Sequence, residues 1–276
     1  MERIGFIGLG SQGAPMARRI VEEGYPLTLW ARRSASTEPY GDTAAVVAAT
    51  PAELASRSDI VCLCVVADAD VEDVLLRDDG VFAGLASGGV VVLHSTIHPD
   101  TCRRVAEEAA ARGISVVDAP VSGGGQAAAE RRLLVMAGGA KEDVERCRPV
   151  FETFADPVIH LGPLGSGQAA KALNNFVFTV QVGLALDTFA LADGLGMDRA
   201  AVAQVLANGT GGTRAAGILA ASGFNTAGLR QARSLLRKDV DILLDLARAG
   251  GPDADPAGLA ELAERTLAAL ENPDPA

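Results

Sequence analysis

The sequence has few lysines, no run of basic residues and no long uncharged apolar stretch. These absences argue against a nucleic-acid-binding protein and against a membrane-spanning one. The 276 residues carry 24 Lys and Arg against 35 Asp and Glu, so the net charge is −11. Such a chain, with no basic run, is not expected to bind nucleic acid, whose phosphates attract basic surfaces. No apolar stretch approaches 18 residues without a charge or a turn residue, so we also expect no membrane span.

Cysteine and histidine are too few and too scattered for a disulfide framework or a metal site. Cys62 and Cys64 alternate within an apolar segment, which is typical of core packing in a reducing compartment. The three histidines form no ligand-spaced set with cysteines or carboxylates, so we predict no metal. The N-terminal residues lack a basic region and lead directly into a predicted strand. We therefore expect no secretory signal and a cytoplasmic location.

A glycine-rich phrase follows the first predicted strand and precedes a helix that begins near Pro15. Glycines at such a turn let backbone amides approach a pyrophosphate, and the helix N-terminus adds partial positive charge. The pattern predicts a dinucleotide-binding turn, with an ordinary strand-to-helix turn as the alternative. Its residues are Gly8, Leu9, Gly10, Ser11, Gln12 and Gly13.

The second predicted strand, 27–30, ends just before Arg32, Arg33 and Ser34. In a dinucleotide site this position faces the adenosine ribose, where a carboxylate suits NAD and arginine suits the 2′-phosphate of NADP. Between the end of this strand and Glu38 there is no carboxylate. The pattern therefore favours NADP(H) over NAD(H), although these arginines could simply be exposed in an arginine-rich chain.

Further strands and helices alternate regularly up to residue 162. Strands are predicted at 59–66, 89–95, 114–118, 132–139 and 157–161, and helices at 51–57, 68–84, 99–112 and 141–154. This alternation predicts an α/β domain, 1–162, with a doubly wound sheet and a ligand at the carboxyl ends of the strands. Thr96 and Asp118 fall at such ends, and Val65 and Val66, at the end of the third strand, are assigned to the cofactor site.

Residues 163–276 have a different character, and the part from 168 to 270 contains no convincing strand. Helices rich in alanine and leucine are predicted at 168–195, 198–207, 212–222, 228–249 and 257–270. The pattern indicates a second, all-α domain. The first of these helices would extend about 40 Å, enough to cross from one domain into another.

Lys171 begins a polar face on that long helix. Asn174 and Asn175 follow three and four residues later, among apolar neighbours. A cation and two amides are costly to bury unless they meet something polar, such as a substrate. The chain uses lysine at only three positions, and lysine can lose its proton when it is desolvated, whereas arginine effectively cannot. The alternative is that Lys171 reaches solvent while the asparagines bond across a helix interface.

Two further phrases have both a functional and an ordinary interpretation. Ser122, Gly123 and Gly124 would expose a hydroxyl and backbone amides, which suits a carboxylate, but they could also form a flexible loop. Lys238 and Asp239 belong to a charged cluster that, taken alone, indicates a solvated helix face.

Five phrases in this order resemble the β-hydroxyacid dehydrogenase family, which includes 3-hydroxyisobutyrate dehydrogenase, tartronate semialdehyde reductase and the glyoxylate/succinic semialdehyde reductases. They are the glycine-rich phrase 8–17, Ser95-Thr96, the phrase 118–124, the phrase 167–175 and Lys238-Asp239. The resemblance covers essentially the whole chain. It implies a Rossmann domain related to 6-phosphogluconate dehydrogenase, a long interdomain helix, and an α-helical domain that forms dimers or tetramers.

The resemblance also implies roles for individual residues. Lys171 would be the catalytic acid/base, and Asn175 would hold the substrate beside it. The substrate carboxylate would bind Ser122, Gly123 and Gly124; Thr96 would lie near the nicotinamide and substrate; Lys238 and Asp239 would close over the cofactor. Asn174 and Gln231 are further expected substrate contacts.

Two positions depart from the family pattern. Arg131 stands where the family often has glycine, and Gln231 stands where a phenylalanine is common. A more polar wall suggests a substrate unlike hydroxyisobutyrate. The expected function is NADP(H)-dependent interconversion of a short β-hydroxy acid and its semialdehyde, in the reducing direction. The alternatives are an imine reductase, which typically has Asp or Tyr in place of the lysine, and a non-catalytic NADP-binding module.

Overall fold

The computed structural model describes residues 1–271. The chain forms two compact units, Met1–Lys171 and the part from Ala172 onward. The last five residues of the predicted second domain, 272–276, lie outside the described part. The strands are β1 (Ile4–Ile7), β2 (Leu27–Trp30), β3 (Val46–Val47), β4 (Ile60–Leu63), β5 (Val90–Leu93), β6 (Ser115–Asp118), β7 (Val121–Ser122), β8 (Leu133–Ala137) and β9 (Ala155–His160).

Helices in the first unit connect these strands. They are α1 (Gly13–Glu22), α2 (Pro51–Ser56), α3 (Asp68–Leu76), α4 (Val81–Gly84), α5 (Pro99–Ala110), α6 (Gly124–Ala129) and α7 (Lys141–Phe151). A long helix, α8 (Ser166–Gly194), begins in the first unit and continues into the second. The second unit then adds α9 (Arg199–Asn208), α10 (Arg214–Ala221), α11 (Ala227–Gln231), α12 (Arg233–Gly250) and α13 (Ala257–Ala269).

The main sheet is parallel and has the strand order β3-β2-β1-β4-β5-β6. Its central strands are buried on both faces, which explains why they are continuously apolar in the sequence. The register aligns the last residues of five strands in one row: Ile7, Trp30, Leu63, Leu93 and Asp118. The residues after this row therefore share one edge. Strands β2 and β3 are added on one side of β1, and β4 to β6 on the other, so the order of strands switches between β1 and β4. Folds of this kind bind their ligands at such a switch point.

A second, smaller sheet has the order β7-β8-β9. Strand β7 pairs antiparallel with β8, and β8 pairs parallel with β9. An isolated bridge between Asp118 and Gly138 joins this sheet to the end of β6. The predicted strands at 132–139 and 157–161 are present, but the sequence patterns missed β3 and β7 because two-residue strands have no detectable periodicity.

Two predicted helices are wrong as single elements. The segment 68–84 divides into α3 and α4 because Arg77 is extended and Gly80 closes a turn by donating to the Arg77 carbonyl oxygen at 2.7 Å. A Cβ atom at Gly80 would lie 2.7 Å from that oxygen, so the turn depends on glycine. The segment 228–249 divides into α11 and α12 at Ala232.

Helix α8 is 29 residues long and contributes Phe176, Val182 and Phe189 to the core of the second unit. Within the described residues, α8 is also long and apolar enough to cross a membrane by length and composition alone. Its most apolar 18 residues have a mean hydropathy of 1.4, and a third of them are buried. The core helix of a soluble protein meets the same criterion. The earlier expectation concerned stretches without a charge, and the charge-free stretch of α8 runs only from 172 to 186, between Lys171 and Asp187.

Arg131 lies in the left-handed region of backbone space, with φ 57°. It occupies the turn between α6 and β8, and its side chain pairs with Glu23, which directly follows the helix α1. Glycine adopts this conformation without a Cβ penalty, whereas arginine does not. The backbone thus gives a physical reason for the glycine that the resemblance leads us to expect at this position.

Candidate active site

The glycine-rich turn places three glycines in three different environments. Gly8 has φ 102°, and a Cβ atom there would lie 2.3 Å from the Cys64 carbonyl oxygen. At Gly13 a Cβ atom would lie 2.0 Å from the Gly8 oxygen. At Gly10, in contrast, it would meet nothing within 4 Å. Internal packing therefore requires glycine at 8 and 13, while position 10 borders open space of the kind a pyrophosphate needs.

Two further observations at this turn fit a dinucleotide. The side chain of Gln12 forms no cap on α1, and that helix has no acidic residue in its first turn. Within residues 1–271, the buried Nε2 atom of Gln12 has no hydrogen-bond partner. Uncapped helix amides attract phosphate, and an orphaned donor is expected to meet an acceptor. The residues present therefore fit the diphosphate part of NAD(P).

The predicted ribose side of the site follows β2. Arg32, Arg33 and Ser34 are exposed there, and the Arg32 Nη1 atom lies 3.2 Å from Asp70 Oδ1. The loop that contains them is tied to α1, because the Tyr40 hydroxyl donates to the Ala14 carbonyl oxygen at 2.6 Å. The sequence-predicted arginines thus stand at the same sheet edge as the glycine turn.

The ends of β4 and β5 are joined through Ser95. The Val65 backbone N–H donates to Ser95 Oγ at 2.9 Å. Next to Ser95, the buried His94 ring lies 2.7 Å, Nδ1 to oxygen, from the Ala119 carbonyl and packs among phenylalanines. Burial lowers the pKa of His94 to about 4, so this ring is uncharged at neutral pH. We assign it to the core rather than to proton transfer.

A single amide side chain, Gln168, holds both sides of Thr96. The Ile97 backbone N–H donates to Gln168 Oε1 at 3.1 Å, and Gln168 Nε2 donates to the Ser95 carbonyl oxygen at 2.7 Å. Gln168 is fully buried in the first turn of α8. The helix that contains Lys171 is therefore attached directly to the loop that contains Thr96.

Asp118 fixes the same turn of α8 from another side. Its fully buried carboxylate accepts hydrogen bonds from the backbone N–H groups of Gly165 at 2.7 Å and Gln168 at 2.8 Å. Burial raises the pKa of Asp118, and these helix N–H donors counteract the rise. A Cβ atom at Gly167 would lie 2.2 Å from the Met136 oxygen and 2.8 Å from the carboxylate. Glycine there lets the helix start against Asp118.

Lys171 follows Gln168 by three residues on this anchored turn, and it is only 9% exposed. The side chain is thus not in bulk water. Because helical neighbours three residues apart share a face, Lys171 and Gln168 project from the same side of α8. The remaining residues of the polar face, Asn174 and Asn175, belong to the second unit.

The second unit gives Asn175 a defined orientation. Asn175 Nδ2 donates to Asp239 Oδ2 at 2.5 Å, and Asn174 Nδ2 donates to Asn175 Oδ1 at 2.9 Å. Asp239 is buried, with its other oxygen 3.9 Å from Lys238 Nζ. Asp239 is therefore not part of a solvated helix face, and it orients Asn175. Gln231 is exposed at the end of α11.

The loop 122–125 lies against the glycine turn. Ser122 ends β7, and Gly123 leads into α6. A Cβ atom at Gly125 would lie 2.4 Å from the Ser11 carbonyl oxygen, so these two segments are in direct contact. A Cβ atom at Gly124 would meet nothing within 4 Å. The loop is therefore held in place on the turn, with open space beside Gly124.

Sequence reasoning missed the site roles of Gln168, Asp118 and Gly125. Asp118 was visible as a carboxylate at a strand end, and Gly125 directly follows the predicted Gly123 and Gly124. Gln168 had no comparable pattern, because its partners lie more than 70 residues earlier in the chain. Among residues 1–271, no group of three His, Cys, Asp or Glu side chains is arranged to hold a metal ion.

Two family models together match nearly the whole chain. Residues 3–162 match the NAD binding domain of 6-phosphogluconate dehydrogenase. Residues 165–274 match the NAD-binding domain of NADP-dependent 3-hydroxyisobutyrate dehydrogenase. The first match includes the glycine turn, and the second covers α8 and the helices that follow it.

Individual relatives agree with these matches. The chain is 35% identical over 212 residues to the NAD-dependent L-serine dehydrogenase of Pseudomonas aeruginosa, covering 77% of this chain and 71% of the relative. The Mycobacterium tuberculosis 3-hydroxyisobutyrate dehydrogenase solved with L-serine is 28% identical, with a TM-score of 0.83 and coverage of 97% and 94%. Psf3, solved with NADP+ and 2-OPP, is 26% identical, with a TM-score of 0.84 and coverage of 96% and 93%.

The earlier resemblance is thereby confirmed, as are the parallel N-terminal sheet, the long helix and the helical C-terminal part. The similar proteins include one named as NAD-dependent and one solved with NADP+. The chain belongs to the 3-hydroxyisobutyrate dehydrogenase, or β-hydroxyacid dehydrogenase, family and is an NAD(P)-dependent oxidoreductase of that kind with a 6-phosphogluconate dehydrogenase-type NAD-binding domain.

Proposed function

We propose that this protein reduces a short β-semialdehyde acid to the corresponding β-hydroxy acid with NADPH, using Lys171 as the general acid. The observation that carries the proposal is the burial of Lys171 on the turn of α8 that Asp118 and Gln168 anchor. A lysine buried beside a nucleotide-binding sheet edge has a clear use in proton transfer, which a solvated lysine there would lack.

The chemistry divides between the coenzyme and the protein. Bound NADPH would supply a hydride to the carbonyl carbon of the substrate. Lys171 donates a proton to the carbonyl oxygen as negative charge develops there, and it removes that proton in the reverse direction. Asn175, oriented by Asp239, donates to the same oxygen or orients the substrate. Ser122 and the neighbouring glycine amides bind the substrate carboxylate.

The predicted coenzyme preference depends on the residues after β2. Arg33 and Ser34 offer a cation and a hydroxyl to a 2′-phosphate, and Arg32 contributes a second cation. Within residues 1–271, no carboxylate pairs with the Arg33 guanidinium. An unpaired, exposed arginine suits a phosphate that only NADP carries.

Replacing Lys171 with alanine tests the central role. We expect Lys171→Ala to lower kcat by about 10²–10⁴-fold, the usual contribution of a general acid, while NADPH binding changes little. Steady-state kinetics and NADPH fluorescence titration measure these two quantities separately.

Lys141 provides a matched control, because it is an exposed lysine at the start of α7. Lys141→Ala should keep wild-type kinetics. If Lys171→Ala also kept them, the assignment of Lys171 as the general acid would be wrong.

The substrate class requires a panel of acids. Succinic semialdehyde, glyoxylate, methylmalonate semialdehyde and tartronate semialdehyde should be assayed with NADPH and with NADH, and L-serine in the oxidising direction. L-serine belongs in the panel because two relatives are named or solved with it. A cyclic imine tests the imine reductase alternative. NADPH binding without turnover of any compound would instead support the non-catalytic alternative.

A homodimer is the assembly that the surface of α8 supports. Five exposed apolar side chains follow one stripe along the helix, since their spacings of four and seven residues keep them within about 40° of each other. They are Leu173, Val177, Leu184, Leu191 and Leu195, the last just beyond the helix end. A stripe about 30 Å long is costly to leave in water. We propose that a second copy of the chain covers it, in a dimer or a tetramer.

A further inference from the structure

One of the two arginines that follow β2 already lies beside a carboxylate. The Arg32 Nη1 atom lies 3.2 Å from Asp70 Oδ1, although Arg32 is 65% exposed and free to adopt other rotamers. Asp70 is held more firmly: its Oδ2 atom accepts a hydrogen bond from the Ala67 backbone N–H at 3.2 Å, in the first turn of α3. The carboxylate is therefore a fixed feature of the site, and the arginine is the mobile partner.

Other acidic residues of α3 pair elsewhere. Glu72 accepts from Arg104 at 2.7 Å, and Asp73 lies 3.9 Å from Arg77. Asp70 thus differs from its neighbours on α3 in contacting the segment after β2. The positions also follow from the sheet, because Trp30 and Leu63 align in one row through Ile7. The segments after β2 and β4, which contain Arg32 and Asp70, therefore leave the same edge.

We propose that Asp70 is a specificity residue that limits the preference for NADP over NAD by sharing Arg32 with the 2′-phosphate. The inference rests on the proposed function, in which this segment receives the adenosine ribose. A 2′-phosphate that approaches Arg32 must compete with the Asp70 carboxylate and is also repelled by it. NAD has no 2′-phosphate, so its binding is nearly independent of this pair. The protein should therefore use both coenzymes, with a modest preference for NADP.

The size of the effect is bounded by solvent screening. Exposed ion pairs contribute little, and charges in water interact weakly beyond a Debye length of about 8 Å. Removing the Asp70 charge should therefore change NADPH affinity by about three- to tenfold rather than by orders of magnitude.

The test compares Asp70→Asn with the wild type by calorimetry and coenzyme fluorescence. Asparagine keeps an oxygen that can accept from the Ala67 N–H, so the start of α3 is preserved. We expect NADPH to bind about three- to tenfold more tightly and NADH to change less than about twofold. Adenosine 2′,5′-bisphosphate should follow NADPH, and AMP should follow NADH. Glu72→Gln is the matched control, since it removes one charge from the same helix.

A second arm tests whether Asp70 acts through Arg32. In an Arg32→Ala background, Asp70→Asn should change NADPH affinity less than about twofold, because the shared cation is gone. Equal effects of Asp70→Asn on NADPH and NADH, or an undiminished effect without Arg32, would overturn the inference. Failure of the proposed coenzyme preference has a different signature: the Arg32→Ala and Arg33→Ala variants would then bind NADPH as tightly as the wild type.

Discussion

His94 shows how a single residue can resemble a catalytic group and yet belong to the core. It follows β5 at the ligand edge of the sheet, but its ring is enclosed by Phe6, Phe151 and Phe154. Protonating the ring inside this cluster is costly, so burial lowers the pKa of His94 to about 4. The residue therefore affects stability rather than proton transfer.

This lowered pKa predicts a pH dependence of stability. The unfolded chain binds a proton at His94 near pH 6.5, whereas the folded chain does so only near pH 4. The contribution of the uncharged His94 ring to the free energy of unfolding is therefore complete above pH 6.5, and it is lost as the pH falls toward 4. We expect a loss of about 2–4 kcal/mol in the free energy of unfolding over this range. Urea denaturation at several pH values measures it.

The control is His94→Asn, which keeps a donor for the Ala119 carbonyl oxygen but does not titrate. Its free energy of unfolding should vary less between pH 6.5 and 4. An equal slope for the variant and the wild type would assign the acid sensitivity to other groups.

Gln168 and Asp118 are the residues that turn a helix start into a site. Each bonds to backbone groups far away in sequence, and both are fully buried. Their hydrogen bonds join the end of β5, the end of β6 and the first turn of α8. Lys171 thus follows a rigid turn, as a catalytic side chain requires.

At the scale of elements, the glycine turn contains glycines that the packing requires and one, Gly10, that the packing does not require. Gly10→Ala should leave the fold intact, since a Cβ atom there meets nothing within 4 Å. The added methyl group would nevertheless keep the pyrophosphate from approaching the backbone amides. NADPH and NADH should therefore bind about 10–100-fold more weakly, which corresponds to one lost charged hydrogen bond. Fluorescence titration and thermal denaturation measure binding and stability separately.

Gly13→Ala is the contrasting variant. Its Cβ atom would lie 2.0 Å from the Gly8 carbonyl oxygen, so we expect a loss of about 1–3 kcal/mol in the free energy of unfolding. If Gly10→Ala bound coenzyme normally, the pyrophosphate could not lie against residue 10.

The turn between α6 and β8 offers a stabilising substitution. Arg131 has φ 57°, and its ion pair with Glu23 is exposed and therefore weak. We expect Arg131→Gly to raise the free energy of unfolding by about 0.5–1 kcal/mol, because glycine removes the left-handed strain.

The neighbouring Arg132 is the control for this turn, since it does not have a positive φ. Arg132→Gly should lower stability slightly through the entropy of the unfolded chain. A loss of stability in Arg131→Gly would mean that the Glu23 contact outweighs the backbone strain.

At the scale of the whole molecule, assembly depends on the α8 stripe. We expect the wild type to be at least dimeric and the double variant Leu184→Glu/Leu191→Glu to dissociate. Burying one leucine contributes about 1.5–3 kcal/mol, so the dissociation constant should rise at least a hundredfold. Light scattering after size exclusion measures the mass.

Leu259→Glu provides the control, because Leu259 is an exposed leucine on α13, outside the stripe. It should not change the mass. A monomeric wild type would refute the proposed dimer, and binding of the wild type to lipid vesicles would make a membrane the occupant of the stripe.

The sequence alone determined the fold class, the family and the approximate positions of most strands. Its informative patterns are local: apolar runs of strand length, glycines before a helix, and a lysine with two asparagines on one helical face. Such patterns depend on neighbours within one or two turns, so they can be recognised without coordinates. The two-residue strands and the breaks within 68–84 and 228–249 were missed because they depend on pairing and turn geometry.

Only the tertiary structure decided which side chains hold the site together. Gln168 bonds across more than 70 residues to the loop at Thr96, and Asp70 reaches Arg32 from another strand end. Asp239, which the local sequence pattern alone places on a charged helix face, is the hydrogen-bond partner of Asn175. Contacts of this kind arise when the sheet brings strand ends to one edge, or when helices pack. The order of residues along the chain carries no local record of them.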